Sequence, residues 1–210
     1  MPGSVAAAFF HEHFMAQAEG QQQQQQQQDD KKNKDSLLLL GYPKVTVVAT
    51  HEGQVARAQH FRLVLQRLSG VEVDLACVVK ERQTKNQSDY QPVLVGNVEG
   101  RDCILVDDIV QTGNTMKRSI ETLKASGANR VYAWATHGVF GQDIPLQEEN
   151  TDLEYLLVSN SVQAKDLPPT IQQLSVAPLL AEAIARSAHH QPVSDILMQN
   201  FDTTPERYDG

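Results

Sequence analysis

Only two cysteines occur in the 210 residues, Cys77 and Cys103. They cannot build a disulfide framework, and neither stands in a Cys-x-x-Cys pair or a Cys/His cluster, which argues against a zinc site. Both read as small buried strand residues, as free cysteines often are. No apolar run approaches the roughly 18 residues that suggest a membrane span, so no membrane association is expected. Basic residues are also in deficit: 18 Lys and Arg stand against 26 Asp and Glu, a formal charge of −8. Nucleic-acid binders usually present a basic face, so binding to a phosphate backbone is excluded as the main activity. Arginine is missing altogether before Arg57, which argues against a mitochondrial presequence. The same stretch lacks the basic start and small-residue cleavage site of a secretory signal, so a cytoplasmic location is expected.

What is present is unevenly spread. Gln21 to Gln28 is an uninterrupted glutamine tract, followed by charged and amide residues to Asp35. Neither stretch has apolar periodicity with which to repay the entropy of ordering. Residues 1–36 are therefore expected to be disordered or marginally helical and to add little to a core. Ala6 to Met15 is apolar but interrupted by His11, Glu12 and His13. The first 44 residues carry a net −1, leaving −7 for the rest, so the acidity belongs to the part expected to fold. The division expected is a low-complexity tail over 1–44, one domain over 45–201 and a short tail over 202–210.

From Val45 the pattern alternates. Val45 to Ala49 is a short β-branched apolar run, the signature of a buried strand. Val55, Ala58, Phe61, Leu65 and Leu68 then recur near helical spacing, with Gly70 as the stop. Val73 to Val79 reads as a strand, and Lys80 to Gln91 as a long loop of the kind that tends to be functional. Strands are expected over Val93–Val98, Cys103–Val106, Val131–Ala135, Leu153–Val158 and Gln173–Val176. Helices are expected over Thr115–Ser126 and Leu179–Ser187, the latter with Pro178 in its first turn, where the missing N–H costs nothing. Such alternation implies an α/β fold, a mostly parallel twisted sheet with helices on both faces.

Ile104 to Thr115 carries the chemistry: an apolar strand, the acids Asp107 and Asp108, a Thr112-Gly113-Asn114-Thr115 turn, then a helix. The carboxyl end of a strand beside a helix N-terminus is where open α/β sheets bind ligands. Backbone N–H groups at such a turn suit a phosphate, and the two threonine hydroxyls can add donors. Facing phosphate, the two acids would repel it. They are better placed as acceptors for sugar hydroxyls or near a magnesium ion. No Gly-Lys-Ser/Thr is present, so this is not a Walker loop.

The string resembles the phosphoribosyl-pyrophosphate (PRPP) motif of type I phosphoribosyltransferases and of PRPP synthetases. Other segments narrow it to the synthetases. Val78 to Gln83, with Lys80-Glu81-Arg82, is similar to the start of their catalytic loop. Asn97 to Arg101, Thr136 to Phe140 and Ser175 to Ile184 are similar to their C-terminal half. The resemblance implies a type I phosphoribosyltransferase-like fold. It also implies a ribose-phosphate diphosphokinase lineage, in which the diphosphate of ATP passes to the 1-hydroxyl of ribose 5-phosphate for nucleotide biosynthesis. Asp107 and Asp108 would hold ribose hydroxyls, Thr112, Gly113, Asn114 and Thr115 the 5-phosphate, and Lys80 and Arg82 the charge in transit. Magnesium is implied as the cofactor, with its ligands incomplete in this chain.

The departures bear on activity. Where the family has an Asp and a second Gly in its pyrophosphate loop, this chain has His51 and Gln54, while Gly53 and Arg57 are kept. Histidine is a poorer magnesium ligand than a carboxylate. The acid usual before Thr-Gly is Gln111. The family has two similar halves and this sequence aligns with the second, so ATP would have to be bound partly by another chain, or not at all. The expectation is a synthetase subunit or isoform in a homo- or hetero-oligomer with PRPP synthetase subunits. The alternative is a non-catalytic regulatory relative of those enzymes. A nucleobase phosphoribosyltransferase would explain the motif but not the Lys-x-Arg loop or the C-terminal helix. Whether the lone chain is an enzyme is left open by the sequence.

Overall fold

The computed structural model describes residues 2–25, 41–81, 91–140, 152–193 and 196, with the backbone alone at 21–25, 80, 81 and 91. Seven strands form one sheet: β1 (Val45–Ala49), β2 (Asp74–Glu81), β3 (Gln91–Val95), β4 (Asp102–Val110), β5 (Val131–Gly138), β6 (Leu156–Ser159) and β7 (Ile171–Leu174). Their spatial order is β3-β2-β1-β4-β5-β6-β7. All pairings are parallel except β2 with β3, which is antiparallel. The helices are α1 (Pro2–Gln25), α2 (Val55–Ser69), α3 (Asn114–Ala125) and α4 (Ala177–Ala188).

Strand alternation sorts the core into two layers. Val45, Val47 and Ala49 of β1, Ile104 and Val106 of β4 and Trp134 of β5 face α1, α2 and α4. Val48, Leu105, Ala133 and Ala135 face Met116, Ile120 and Leu123 of α3 on the other side. Every residue of β1 is buried, as a central parallel strand covered on both faces requires. The expected mostly parallel sheet with helices on both faces is what the chain forms. Element ends match closely at β1, α2, α3 and α4. Gly70 ends α2 in the left-handed conformation at φ 69°, which a glycine adopts without a Cβ penalty. Trp134 is in the core, as is Cys103, whereas Cys77 is only half-buried.

The front of the chain corrects an expectation. Residues 2–25 form a helix, and its side chains belong to the core. Ala6, Phe10, Phe14 and Ala18 recur every four residues, so they share one face, and all four are fully buried. Phe10 stacks on Tyr155 at 5.7 Å and meets Phe61 and Tyr132 edge-on at 6.0 and 5.9 Å. Gln17 is buttressed by His13 and by Arg130, whose guanidinium donates to the Gln17 carbonyl at 3.0 Å. Burial of those rings supplies what local propensity does not, because a buried aromatic contributes far more than a residue's intrinsic helix preference. Residues 26–40, of which 26–36 are also expected to be disordered or marginally helical, and 202–210 lie outside the described residues. Among the described residues, no helix is long and apolar enough to cross a membrane.

Candidate functional site

The parallel strands bring three segments to one edge of the sheet: the end of β1 with the turn after it, the end of β4 with the turn into α3, and the end of β5. Ala49 pairs with Val106 and Val106 with Trp134, so Thr50, Asp107 and Ala135 fall at the same level.

Asp107 is buried, 6% exposed. Its Oδ2 accepts from the Thr50 hydroxyl at 2.8 Å, and its Oδ1 from the backbone N–H of Asp108 at 2.8 Å. Asp108 lies on the opposite face of β4 and is half-exposed. Its Oδ1 accepts from the N–H of Ile109 at 2.8 Å, and its Oδ2 faces an Arg57 nitrogen at 3.8 Å. The two acids are driven apart in acidity. Burial pushes Asp107 above the usual carboxylate range, beyond what its hydrogen bonds from Thr50 and Asp108 recover. Partial burial acts the same way on Asp108. It is outweighed by hydrogen bonds, from the Gln54 amide first, and by the Arg57 charge, which together hold Asp108 below that range. Asp107 thus keeps its proton longer and Asp108 remains the carboxylate.

Beyond Val110 the chain turns through Gln111, Thr112 and Gly113 into α3. Gly113 is buried and left-handed at φ 71°, a conformation that costs an L-residue about 1–2 kcal/mol. This geometry aims the first turn of α3 at the sheet edge. No side chain among the described residues caps that turn and no acid stands in it. Thr112 and Asn114 are exposed, and Thr115 is half-buried. The first-turn amides and the helix dipole therefore present donors toward solvent beside Asp107 and Asp108, a setting that favours an anion.

The turn after β1 is arranged differently. His51 caps a short 3-10 turn by accepting from the Gly53 N–H on its Nδ1 at 3.1 Å. A Cβ on Gly53 would stand 2.9 Å from the His51 ring, so a side chain there would push the ring out of its capping position. Gln54 is turned inward, 5% exposed. Its carbonyl accepts from Arg57 Nε at 2.9 Å while its amide serves Asp108. Arg57 also donates to the Thr136 hydroxyl at 3.4 Å. Thr50, Gln54 and Thr136 are thus part of the site, although the sequence singled out only Gln54. Thr50 could have been found as the polar residue that directly ends an apolar strand.

His137, on the same face of the sheet as Ile109, bonds through Nδ1 to the Ser161 hydroxyl at 2.7 Å. It belongs to a chain of hydroxyls that ends on the Thr136 carbonyl, where Ser159 donates at 2.6 Å. Lys80 is in strand β2 and not in a loop, its backbone paired opposite Pro92. Ala49 pairs with Cys77, so β2 runs past the end of β1 and takes the Lys80 backbone to the same sheet edge. Its side chain, and Arg82 entirely, lie outside the described residues.

A resident magnesium ion does not fit this donor set. The oxygens of Asp107 and Asp108 already answer Thr50, Gln54, Arg57 and two backbone amides, and the His51 nitrogen nearest the turn answers Gly53. Among the described residues no group of three His, Cys, Asp or Glu could hold a metal. Magnesium asks for near-octahedral oxygen ligands, which these side chains do not assemble.

Comparison with known proteins gives the lineage. The chain is 35% identical over 162 residues to the ribose-phosphate pyrophosphokinase of Helicobacter hepaticus, covering 77% of this chain and 50% of that one. It is 38% identical over 151 residues to the enzyme of the same name from Vibrio cholerae, covering 70% and 46%. The chain therefore spans about half the length of these curated relatives. Among solved structures, the phosphoribosylpyrophosphate synthetase of Mycobacterium smegmatis matches with a TM-score of 0.59 and 29% identity, over 70% of this chain and 46% of that one. The model of the phosphoribosyl synthetase-associated domain matches residues 44–198, and the chain belongs to that family.

Proposed function

We propose that this chain is a ribose 5-phosphate-binding unit of the ribose-phosphate diphosphokinase lineage. Diphosphate transfer from ATP would need a second chain to complete the ATP site. The observation that carries the reading is the juxtaposition of Asp107 and Asp108 with the uncapped first turn of α3. The turn from Thr112 to Thr115 takes the 5-phosphate through backbone N–H and hydroxyl donors. Asp108, ionised and half-exposed, accepts from the ribose hydroxyls. Asp107, held by Thr50, fixes the end of β4. Lys80 and Arg82 are the cations that would stabilise charge on the moving diphosphate, a task in which one aimed cation is worth orders of magnitude in rate. Magnesium would enter with the nucleotide as part of the substrate. Partner subunits would be PRPP synthetases or further copies of this chain.

A second reading, a non-catalytic regulator of complete synthetases, is favoured by Gln54. Its buried side chain occupies the position where the family's pyrophosphate loop has a glycine. It also engages the carboxylate that a substrate would otherwise meet.

Two measurements test these readings. Calorimetry of the full chain should give saturable ribose 5-phosphate binding that Asp108→Ala weakens about ten- to a hundredfold, the worth of hydrogen bonds to a charged group. Unchanged affinity would remove the assigned role. AMP release from ATP and ribose 5-phosphate should be near zero for the chain alone and should rise when a complete synthetase is added, beyond that enzyme's own rate. Robust turnover by the lone chain would overturn the partner requirement. Binding to a synthetase that leaves its rate unchanged or lowered would favour the regulator.

A further inference from the structure

Helix α4 shows its apolar side to solvent. A helix packed on a sheet normally buries its apolar stripe and turns its polar side to water. In α4 the residues Ala177, Leu180, Ala181, Ile184, Ala185 and Ala188 are separated by alternating steps of three and one, so they form one stripe along the whole helix. All six are exposed, Leu180 at 56% and Ile184 at 69%. The opposite side holds Leu179, the one buried residue of the helix, with Ala183 packed against the core. The charges of the helix stand on that inner side. Arg186 donates to Glu182 at 2.7 Å, and its side chain is only 12% exposed. The outward stripe therefore carries neither a charge nor a hydrogen-bonding side chain, on a chain whose net charge is −8.

We propose that this stripe is the interface with a second copy of the chain, the two α4 helices packing antiparallel across a twofold axis. A twofold contact must be self-complementary, and the stripe meets that condition. With the axis at the middle of the helix, Leu180 comes level with Ala185 of the second copy, Ile184 with Ala181 and Ala177 with Ala188. Each large side chain then stands beside an alanine. The bulky residues interdigitate, and the alanines let the two helices approach closely. Elsewhere the excess of acids makes two copies repel each other, whereas on this stripe there is no charge to repel. A helix of 12 residues is about 18 Å long, so the contact falls below the standard interface size. The dimer is therefore expected to be weak, with a Kd of about 10 µM or more. None of Asp107, Asp108 or Thr112 to Thr115 is on α4, so this pairing stands or falls apart from the ribose 5-phosphate reading.

Sedimentation velocity of the full chain between about 1 and 500 µM measures the association. The parent should shift from monomer toward dimer across that range. Ile184→Glu places like charges on both sides of the axis and should weaken association about tenfold or more, and Leu180→Glu should do the same. Both positions are more than half exposed, so neither substitution enters the core. The antiparallel arrangement is read by cross-linking. Ala177→Cys mixed with Ala188→Cys should form a disulfide-linked pair more readily than either variant alone, with the parent and its native Cys77 and Cys103 as the control. A parent that stays monomeric throughout, or association undiminished in both glutamate variants, overturns the interface. Self-linking of Ala177→Cys as efficient as the mixed link overturns the antiparallel arrangement. A parent that is monomeric by itself but binds a complete synthetase, through a face that Ile184→Glu disables, assigns the stripe to a synthetase chain and overturns the second copy as its occupant.

Discussion

Two turns meet at the edge of the sheet, and they use their polar groups in opposite ways. The turn from Asp108 to Thr115 leaves donors exposed: an uncapped helix start, two exposed side chains and a left-handed glycine that aims the turn outward. The turn from Thr50 to Arg57 spends its polar groups internally. His51 caps Gly53, Gln54 bridges Arg57 and Asp108, and Thr50 serves Asp107. The first resembles a site waiting for a ligand. The second has answered its own hydrogen bonds, which is the lower-energy state for buried polar groups without a ligand. Two turns at one sheet edge thus differ in chemical readiness.

The contrast is broken most severely by closing the open turn. Gly113→Val places a β-branched side chain at a buried position with φ 71°. The backbone conformation alone costs about 1–2 kcal/mol, and relief of that strain would rotate the α3 amides away from the ligand. Denaturation should show that loss of stability. Calorimetry should show ribose 5-phosphate affinity down by about tenfold or more. A variant as stable and as competent as the parent would show that the left-handed turn is not what aims those amides.

Next in size is the link between the two turns. Thr50→Val keeps the volume and removes the hydroxyl that donates to Asp107 at 2.8 Å. Leaving a buried acceptor short of a donor costs about 1–3 kcal/mol. The lower part of that range is expected here, because Asp107 can keep a proton in place of the lost donor. Urea denaturation near neutral pH measures it, and a change below a few tenths of a kcal/mol would show that the bond is not used.

Gln54→Gly sharpens the comparison from the other side by opening the closed turn. It restores the residue type that the family's pyrophosphate loop carries and removes the side chain held between Arg57 and Asp108. Affinity for inorganic pyrophosphate should rise about three- to tenfold, while ribose 5-phosphate affinity changes less. Unaltered pyrophosphate binding would show that the glutamine does not block that loop.

The open turn is more legible in the sequence than the closed one, for a physical reason. A strand–acid–acid–turn–helix string is local: each part follows from neighbours in the chain, so the residue order alone places Asp107 to Thr115. The closed turn depends on contacts across strands. Gln54 reaching Asp108, and Arg57 reaching Thr136 on β5, join residues far apart in the chain, and nothing in the residue types announces those partners. The sheet is legible because buried parallel strands read as β-branched runs. Helix α1 is not, although the four-residue spacing of Ala6, Phe10, Phe14 and Ala18 stands in the sequence. Two of those four are alanines, which carry little pattern. The aromatic partners that make the burial worthwhile, Tyr132 and Tyr155, lie more than a hundred residues away. Lys80 reads as loop because its neighbours are charged, yet edge pairing with β3 keeps it in strand.

The smallest effect, and the one specific to the acid pair, is a pH dependence of opposite sign at adjacent residues. Asp107 has its folded pKa raised, so the native state binds its proton more tightly than the unfolded chain does. Its contribution to stability therefore falls as pH rises from the ordinary aspartate value, near 3.9, through the raised one. Asp108 has its folded pKa lowered, so its contribution is present above the ordinary value and is lost as pH falls through the depressed one. Asp107→Asn removes the first slope, and its stability relative to the parent should improve as pH rises from the ordinary aspartate value through the raised one. Asp108→Asn removes the second, and its stability relative to the parent should worsen as pH rises through the depressed value to the ordinary one. The second change should be the smaller, because the Asp108 side chain is 43% exposed and water screens its partners. Parallel urea titrations of the three proteins across that range measure both slopes. Slopes of the same sign would mean that the two carboxylates share one environment, and that burial of one and pairing of the other do not set them apart.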